Sequence, residues 1–164
     1  TRFIDLAREL GELGPWVREL LADMIDTMRD AHGAGLAAPQ IGVSSRIVIF
    51  GVESSPRYPQ APAVPLTVLI NPELVARDGL QLKEEGCLSV PGIEATVARP
   101  LRLTVRAMDR DGDVREIHAE GLLARAIQHE VDHLNGILFL DRLRPEYRWA
   151  LTRRISRLQR AGKW

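Results

Sequence analysis

The sequence predicts an α+β fold: one domain over residues 1–164, with antiparallel strands packed around a central His-Glu-x-x-His helix and a further helix toward either end. Three observations lead there. Several short β-branched segments follow one another without long helices between them, which argues against a doubly wound parallel sheet. Residues 121–136 then switch to helical periodicity. Finally, 164 residues that are 45% hydrophobic and 27% charged suit a single core.

Pro15 follows Gly14 at a helix start, and Trp16, Leu20, Leu21, Met24 and Met28 recur at helical spacing. Residues 15–31 are therefore expected as an amphipathic helix whose Met and Trp stripe packs in the core. The glycines of AHGAGLAAPQIG (31–42) end it. RIVIFGV (46–52) reads as a strand, and ESSPRYPQAPAVP (53–65), with four prolines, as a surface loop. LTVLINP (66–72) is a second strand closed by Asn-Pro. GIEATVARP, LRLTVRAMD and VREIHAEG follow, and the Asp-Gly within DRDGD (109–113) makes the last two a hairpin. In GLLARAIQHEVDHLNG (121–136), Leu122, Leu123, Ala126 and Ile127 supply an apolar helix face and Gly136 a stop. ILFL (137–140) reads as a short strand. From Pro145 a last helix carries Trp149, Ile155 and Leu158, with Arg148, Arg153, Arg154, Arg157 and Arg160 on a solvated basic face.

Lys+Arg and Asp+Glu both number 22, so no overall charge points to nucleic acid or an acidic membrane. No apolar run approaches the roughly 20 residues a membrane helix needs. No secretory signal is visible, although a chain starting at Thr1 leaves room for a processed beginning. A single cysteine, Cys87, excludes an internal disulfide framework and suits a reducing compartment.

The chemistry concentrates in QHEVDHLNG (128–136). Residues four apart on a helix share a face, so His129 and His133 can turn toward one ion while Glu130 flanks it as a general base. The bland alternative is a pair of partly buried histidines bonded to backbone. The third ligand decides the class. Upstream, EEGCLSVPG (84–92) offers Cys87, and a Cys-His-His set leaves one position for water. Gly86 beside it permits close backbone approach. Most free cysteines are simply small buried hydrophobes, but this one sits in a turn-prone setting. Downstream, Asp141 or Glu146 would instead make a zincin-like endopeptidase, and a fourth protein ligand would make a structural site. His118 reads as a surface or cross-strand residue and His32 as an exposed loop residue.

GAGLAAPQIG (33–42), EGCLS (85–89) and QHEVDHLNG (128–136) resemble, in order and spacing, the three motifs of the peptide deformylases. The likeness runs from about residue 23 to Leu143. The chain departs from the family in three places. TRFIDLARELGELG lacks the usual extended Asp-Pro-x-Leu-like stretch, Ala34 stands where valine or isoleucine is usual, and the proline-rich loop is longer. The resemblance implies a metal-dependent amidase that removes the formyl group from N-formylmethionyl termini of new proteins, releasing formate. It implies Fe(II), with zinc, nickel or cobalt accepted by related sites, where ligand types alone suggest zinc. Cys87, His129 and His133 would hold the ion. Glu130 would take a proton from the attacking water and return it to the leaving amine. The Gln40 side chain and the Leu88 backbone N–H would stabilise the oxyanion. Gly33 and Gly35 would let a peptide pair as an added strand. Glu85, Gly86, Leu122, Arg125 and Ala126 would line the substrate site, the Arg125 stem along the methionine pocket and its charge in solvent. Asp132 either orients a histidine or is exposed. The expected partner is a nascent formylmethionyl chain, with a ribosome contact through the last helix. The expected location is the bacterial cytoplasm, a processed organellar form being the alternative.

Overall fold

Helix α1 (Pro15–Asp30) begins with proline at a position where its missing N–H costs nothing, and Val17, Leu20, Leu21, Met24 and Met28 form its buried stripe. The computed structural model describes residues 7–52 and 63–164. Trp16 departs from the expected stripe: it is 46% exposed, its ring lying over Gly14 at the helix start.

Seven strands follow: β1 (Gly35–Ala37), β2 (Ile47–Val52), β3 (Val64–Asp78), β4 (Gln81–Cys87), β5 (Val90–Arg99), β6 (Arg102–Met108) and β7 (Val114–Glu120). Five form an antiparallel sheet in the order β1-β2-β3-β6-β7, and β4 and β5 form a separate two-stranded ribbon. Strand side chains alternate between faces, and β2 shows this most directly. Ile47 and Ile49 pack with α1, together with Leu36, Val68 and Ile70. Val48 and Phe50 pack on the opposite face with Leu69, Leu103, Val105 and Ala119. The second face receives helix α2 (Gly121–Leu134) through Ala124, Ile127, Val131 and Leu134. Thus α1 and α2 cover opposite faces of the β1–β3 part of the sheet. Each fully buried Ile, Leu, Met or Phe contributes roughly 1.5–3 kcal/mol here.

A third cluster joins Val90, Ile93 and Val97 of the ribbon to Leu138, Phe139 and Ile155, the last from helix α3 (Pro145–Arg160). In α3, Leu158 packs partly against this cluster while Trp149 is 62% exposed. The β6–β7 hairpin is as expected: Met108 pairs with Val114, and the Asp109 carboxylate accepts hydrogen bonds from the Asp111 and Asp113 amides within the turn. His118 lies exposed on β7 with Nδ1 2.9 Å from Thr104 of the facing strand, and His32 is exposed with a positive φ of 53°.

Several expectations need correction or extension. Asn-Pro does not close β3. Asn71 adopts φ 50° at a shift of register, and its side chain binds the N–H and C=O of Leu10 at 2.9 and 2.7 Å. The strand runs on to Asp78, paired first with β2 and then with β6. Residues 137–140 are not a strand. Gly136 ends α2 with φ 70°, and a 3-10 turn occupies Phe139–Arg142, capped by the Asp141 carboxylate on the Leu138 amide at 2.9 Å. Strand β4 went unpredicted because Leu82, Lys83 and Glu84 are all exposed and leave no apolar alternation. The proline-rich stretch lies outside the described residues except for its end, where β3 begins. Near the N-terminus the described residues make one parallel bridge, Arg8 to Ser45, rather than a strand.

Candidate active site

Two separately built pieces meet at the site. Helix α2 presents His129 and His133 on the side away from its apolar row, and the ribbon presents Cys87 at the end of β4. A register shift at Gly86/Cys87 lets Cys87 pair with Val90, so Leu88 and Ser89 turn tightly above the helix. The ligand-type atoms of Cys87, His129 and His133 all lie within 4.8 Å of one another. Cys87 Sγ is 3.4 Å from His133 Nε2, close to the ~3.5 Å that a sulfur and a nitrogen adopt on one tetrahedral ion. The two imidazole rings stand edge to face with centroids 4.8 Å apart.

Hydrogen bonding and a ring contact fix the His129 side chain. His129 Nδ1 donates to Glu85 Oε2 at 2.9 Å, which leaves Nε2 as the nitrogen for an ion. Phe139 stacks against the His129 ring with centroids 6.3 Å apart. Arg99 donates to both oxygens of Glu85, at 2.8 and 2.9 Å, and to Asp132 at 2.6 Å. Burial works against a charged Glu85, but the hydrogen bonds from Arg99 and His129 outweigh it and hold the carboxyl down at about 2. Burial likewise opposes charge on His129, yet Cys87 and Glu85 raise it to about 10. His133 moves the other way, to about 3, through burial and the nearby positive charges of His129 and Arg99. The environment therefore favours positive charge where Cys87, His129 and Glu85 meet.

Glu130 is buried, with Oε2 lacking any hydrogen-bond partner among the described residues. Burial pushes its carboxyl up to about 7, the range in which a carboxyl both takes and gives protons near neutral pH. Gly35 presses on it: a Cβ there would stand 2.7 Å from Glu130 Oε1 and 2.9 Å from Cγ. Gln40, in the 3-10 turn Ala38–Ile41, is oriented by its own neighbourhood. Its Oε1 accepts from the Ala37 amide at 2.9 Å, so Nε2 points inward, 3.1 Å from Ser89 Oγ and 3.7 Å from Cys87 Sγ.

Gly33, Gly35, Gln40, Glu85, Gly86, Cys87, Leu88, Leu122, Arg125, Ala126, His129 and Glu130 line one cleft, and Ala34 and Glu84 join them. His133 lies behind, fully buried. Arg125 does not place its charge in solvent as expected. It is 9% exposed, with Nη1 buried and unpartnered among the described residues, because it lies in the cleft wall shared with Glu84–Gly86. Asp132 is buried, and its carboxylate meets arginines rather than a histidine. Asp141 is engaged as a cap and by Arg148 at 2.7 Å, and the only metal-type group among the described residues is the Cys87 set. The sequence reading missed Arg99, Ser89, Phe139 and Arg142. Arg99 had a signal: it occupies an inward position of β5, in step with Ile93 and Val97.

The arrangement defines a metal-dependent hydrolase: a half-buried thiol and two imidazoles fit for one ion, a buried carboxyl held near neutrality, and an open cleft. The polypeptide deformylase family profile matches residues 6–149. A peptide deformylase of Acidobacterium capsulatum is 44% identical over 96% of this chain and 90% of its own length. The crystal structure of a peptide deformylase from Legionella pneumophila superposes with a TM-score of 0.83 at 42% identity, covering 98% of this chain and 91% of that one. A Met-Ala-Ser-bound class I type b peptide deformylase from Acinetobacter baumannii also gives 0.83, at 38% identity over 86% and 91% of the two chains. The chain belongs to the peptide deformylase family, whose members hydrolyse the N-formyl group from N-formylmethionyl peptides.

Proposed function

We propose that Cys87, His129 and His133 hold one divalent ion, Fe(II) in the cell with zinc, nickel or cobalt as substitutes, and that Glu130 is the acid–base group of deformylation. The observation that carries this reading is the meeting of three ligand-type atoms within 4.8 Å beside a buried carboxylate oxygen with no partner among the described residues. Such an ion supplies Lewis acidity and brings the pKa of bound water down to about 7.

The protein groups divide the remaining work. Glu130 accepts a proton from the attacking water and delivers it to the leaving amine. Gln40 Nε2, aimed by the Ala37 amide, and the Leu88 N–H donate to the oxygen that gains charge. Donors set beforehand at such an oxygen are worth about 2.7–4 kcal/mol each. Among the described residues strand β1 is a sheet edge, paired with β2 alone, so a peptide can add to it alongside Gly33 and Gly35 by main-chain hydrogen bonds. Leu122, Arg125 and Ala126, with Glu85 and Gly86 opposite, form the wall for the methionine end. The Met-Ala-Ser ligand of the Acinetobacter structure has the sequence of a deformylated terminus, in keeping with this cleft.

No helix among the described residues is long and apolar enough to cross a membrane. We place the enzyme in the bacterial cytoplasm, with a processed organellar form as the alternative, and assign the basic outer face of α3 to a ribosome contact. The central test is formate release from formyl-Met-Ala-Ser by protein loaded anaerobically with Fe(II), zinc, nickel or cobalt. Cys87→Ala is expected to lose the ion and turnover together. A Cys87→Ala variant with full metal content and full activity would overturn the assignment.

A further inference from the structure

We infer that Arg142, outside the cleft, is a positioning residue for the metal ligand His129, acting through a buried relay of alternating charges. The inference rests on the ligand reading of Cys87, His129 and His133 given above. Arg142 grips Asp132 with two hydrogen bonds, Nε to Oδ2 at 3.0 Å and Nη2 to Oδ1 at 2.5 Å. Asp132 accepts from Arg99 Nη1 at 2.6 Å, Arg99 holds both oxygens of Glu85, and Glu85 accepts from His129 Nδ1. The order is Arg142, Asp132, Arg99, Glu85, His129. The three inner members have side chains only 8%, 3% and 4% exposed, whereas Arg142 is 45% exposed and is the relay's end in solvent.

The relay matters because Arg99 is shared. Its Nε and Nη2 serve Glu85, and its Nη1 serves Asp132. With Arg142 in place, both oxygens of Asp132 are engaged by a second cation. Without it, one oxygen of a buried carboxylate loses its donor, a situation that buried polar groups avoid. Arg99 is then the nearest remaining cation, and its shift toward Asp132 loosens the Glu85 carboxylate. Glu85 fixes which His129 nitrogen carries the proton, so a loosened Glu85 leaves the Nε2 lone pair less well aimed and less basic. The 3-10 turn that supplies Arg142 also supplies Phe139, stacked on the same imidazole. One four-residue turn thus supports His129 at both its ring face and its far nitrogen.

The test uses the Co(II)-loaded full chain, with release into excess chelator and the visible absorption spectrum of the bound ion as readouts. Partners outside the ligand set typically alter affinity by about 10–100-fold. Glu85→Gln should lie near the top of that range and Arg142→Met near ~10-fold, with a changed spectrum. Arg142→Lys keeps charge but cannot engage both oxygens, so it should fall between Arg142→Met and the parent. Arg115→Met, which breaks an exposed pair with Asp109 on the far hairpin, should release cobalt at the parental rate. Parental release and spectrum in Arg142→Met would overturn the inference, as would equal acceleration in Arg115→Met. If the melting midpoint shows Arg142→Met to be misfolded, Arg142→Lys decides: faster release supports the relay, and the parental rate overturns it. Cobalt retained by Cys87→Ala would instead refute the ligand reading itself.

Discussion

The sheet-facing row of α2 and the rest of its buried positions are both shielded from water, yet only the first is apolar. Ala124, Ile127, Val131 and Leu134 meet the sheet. Arg125, Gln128, Glu130, Asp132 and His133 are equally buried but polar, and Arg125 Nη1, Gln128 Oε1, Glu130 Oε2 and His133 Nδ1 have no partner among the described residues. Unpaired buried polar atoms are uncommon in native proteins because each carries a desolvation cost. One row of the helix therefore provides stability, and the other buried positions carry a stability cost that the proposed chemistry would account for.

Substitutions on the two faces should separate these roles. The largest effect is expected from Glu130→Ala: formate release falls by about 10²–10⁴-fold, while metal content stays near one ion per chain and the melting midpoint is not lowered. A loss of metal or a collapse in stability would place Glu130 with the structural face. Gln40→Ala should reduce kcat by about 10²–10³-fold, the range found for one oxyanion donor, with a smaller change in KM. Equal changes in both constants would make Gln40 a loop tether. Ile127→Ala, two residues before His129 but on the sheet side, should reverse the pattern. Denaturant melts should show a loss of about 2–5 kcal/mol, with kcat per folded molecule unchanged.

Acid titration probes the same contrast at the ribbon. Glu85 is depressed to about 2 from an ordinary 4.5. Its contribution to stability is therefore fully present above about pH 4.5 and is lost as pH falls toward 2. Glu85→Gln should flatten that part of an acid-unfolding curve followed by circular dichroism. The smallest effect is expected for Arg106→Ala. Its pair with Glu116 is half exposed and 3.5 Å long, so the melting midpoint and formate release should both stay at parental values.

The same contrast explains which parts could be read from the sequence. The α1 stripe, Trp16 apart, follows a helical period imposed by a single apolar neighbour, so spacing exposes it. On α2 spacing revealed the helix, but of the expected apolar face Ile127 joins the buried sheet-facing row while Leu122 and Ala126 line the cleft. The Asp-Gly hairpin is equally local, its turn being closed by the Asp109 carboxylate. The ribbon strand β4 is hidden because Leu82, Lys83 and Glu84 all face water on a two-stranded element. Ile137 to Leu140 misled because a short apolar run fits strand and turn alike, and only the Asp141 cap decides between them. At the site, Cys87, His129, His133 and Glu130 came from motif spacing and resemblance. Arg99 and Arg142 lie 33 and 10 residues from Asp132 in the chain, and no local pattern marks partners that only the folded chain brings together.

Two glycines in the cleft carry unlike prospects for engineering. A methyl group added at Gly33 would meet the tip of Leu88 at 3.0 Å, the far end of a flexible side chain that can turn aside. The same atom at Gly35 would strike Glu130 at Oε1 and on the stem, where yielding means moving the carboxyl itself. Laboratory evolution toward other acyl groups therefore has freedom at the first position and almost none at the second, although the two residues are identical.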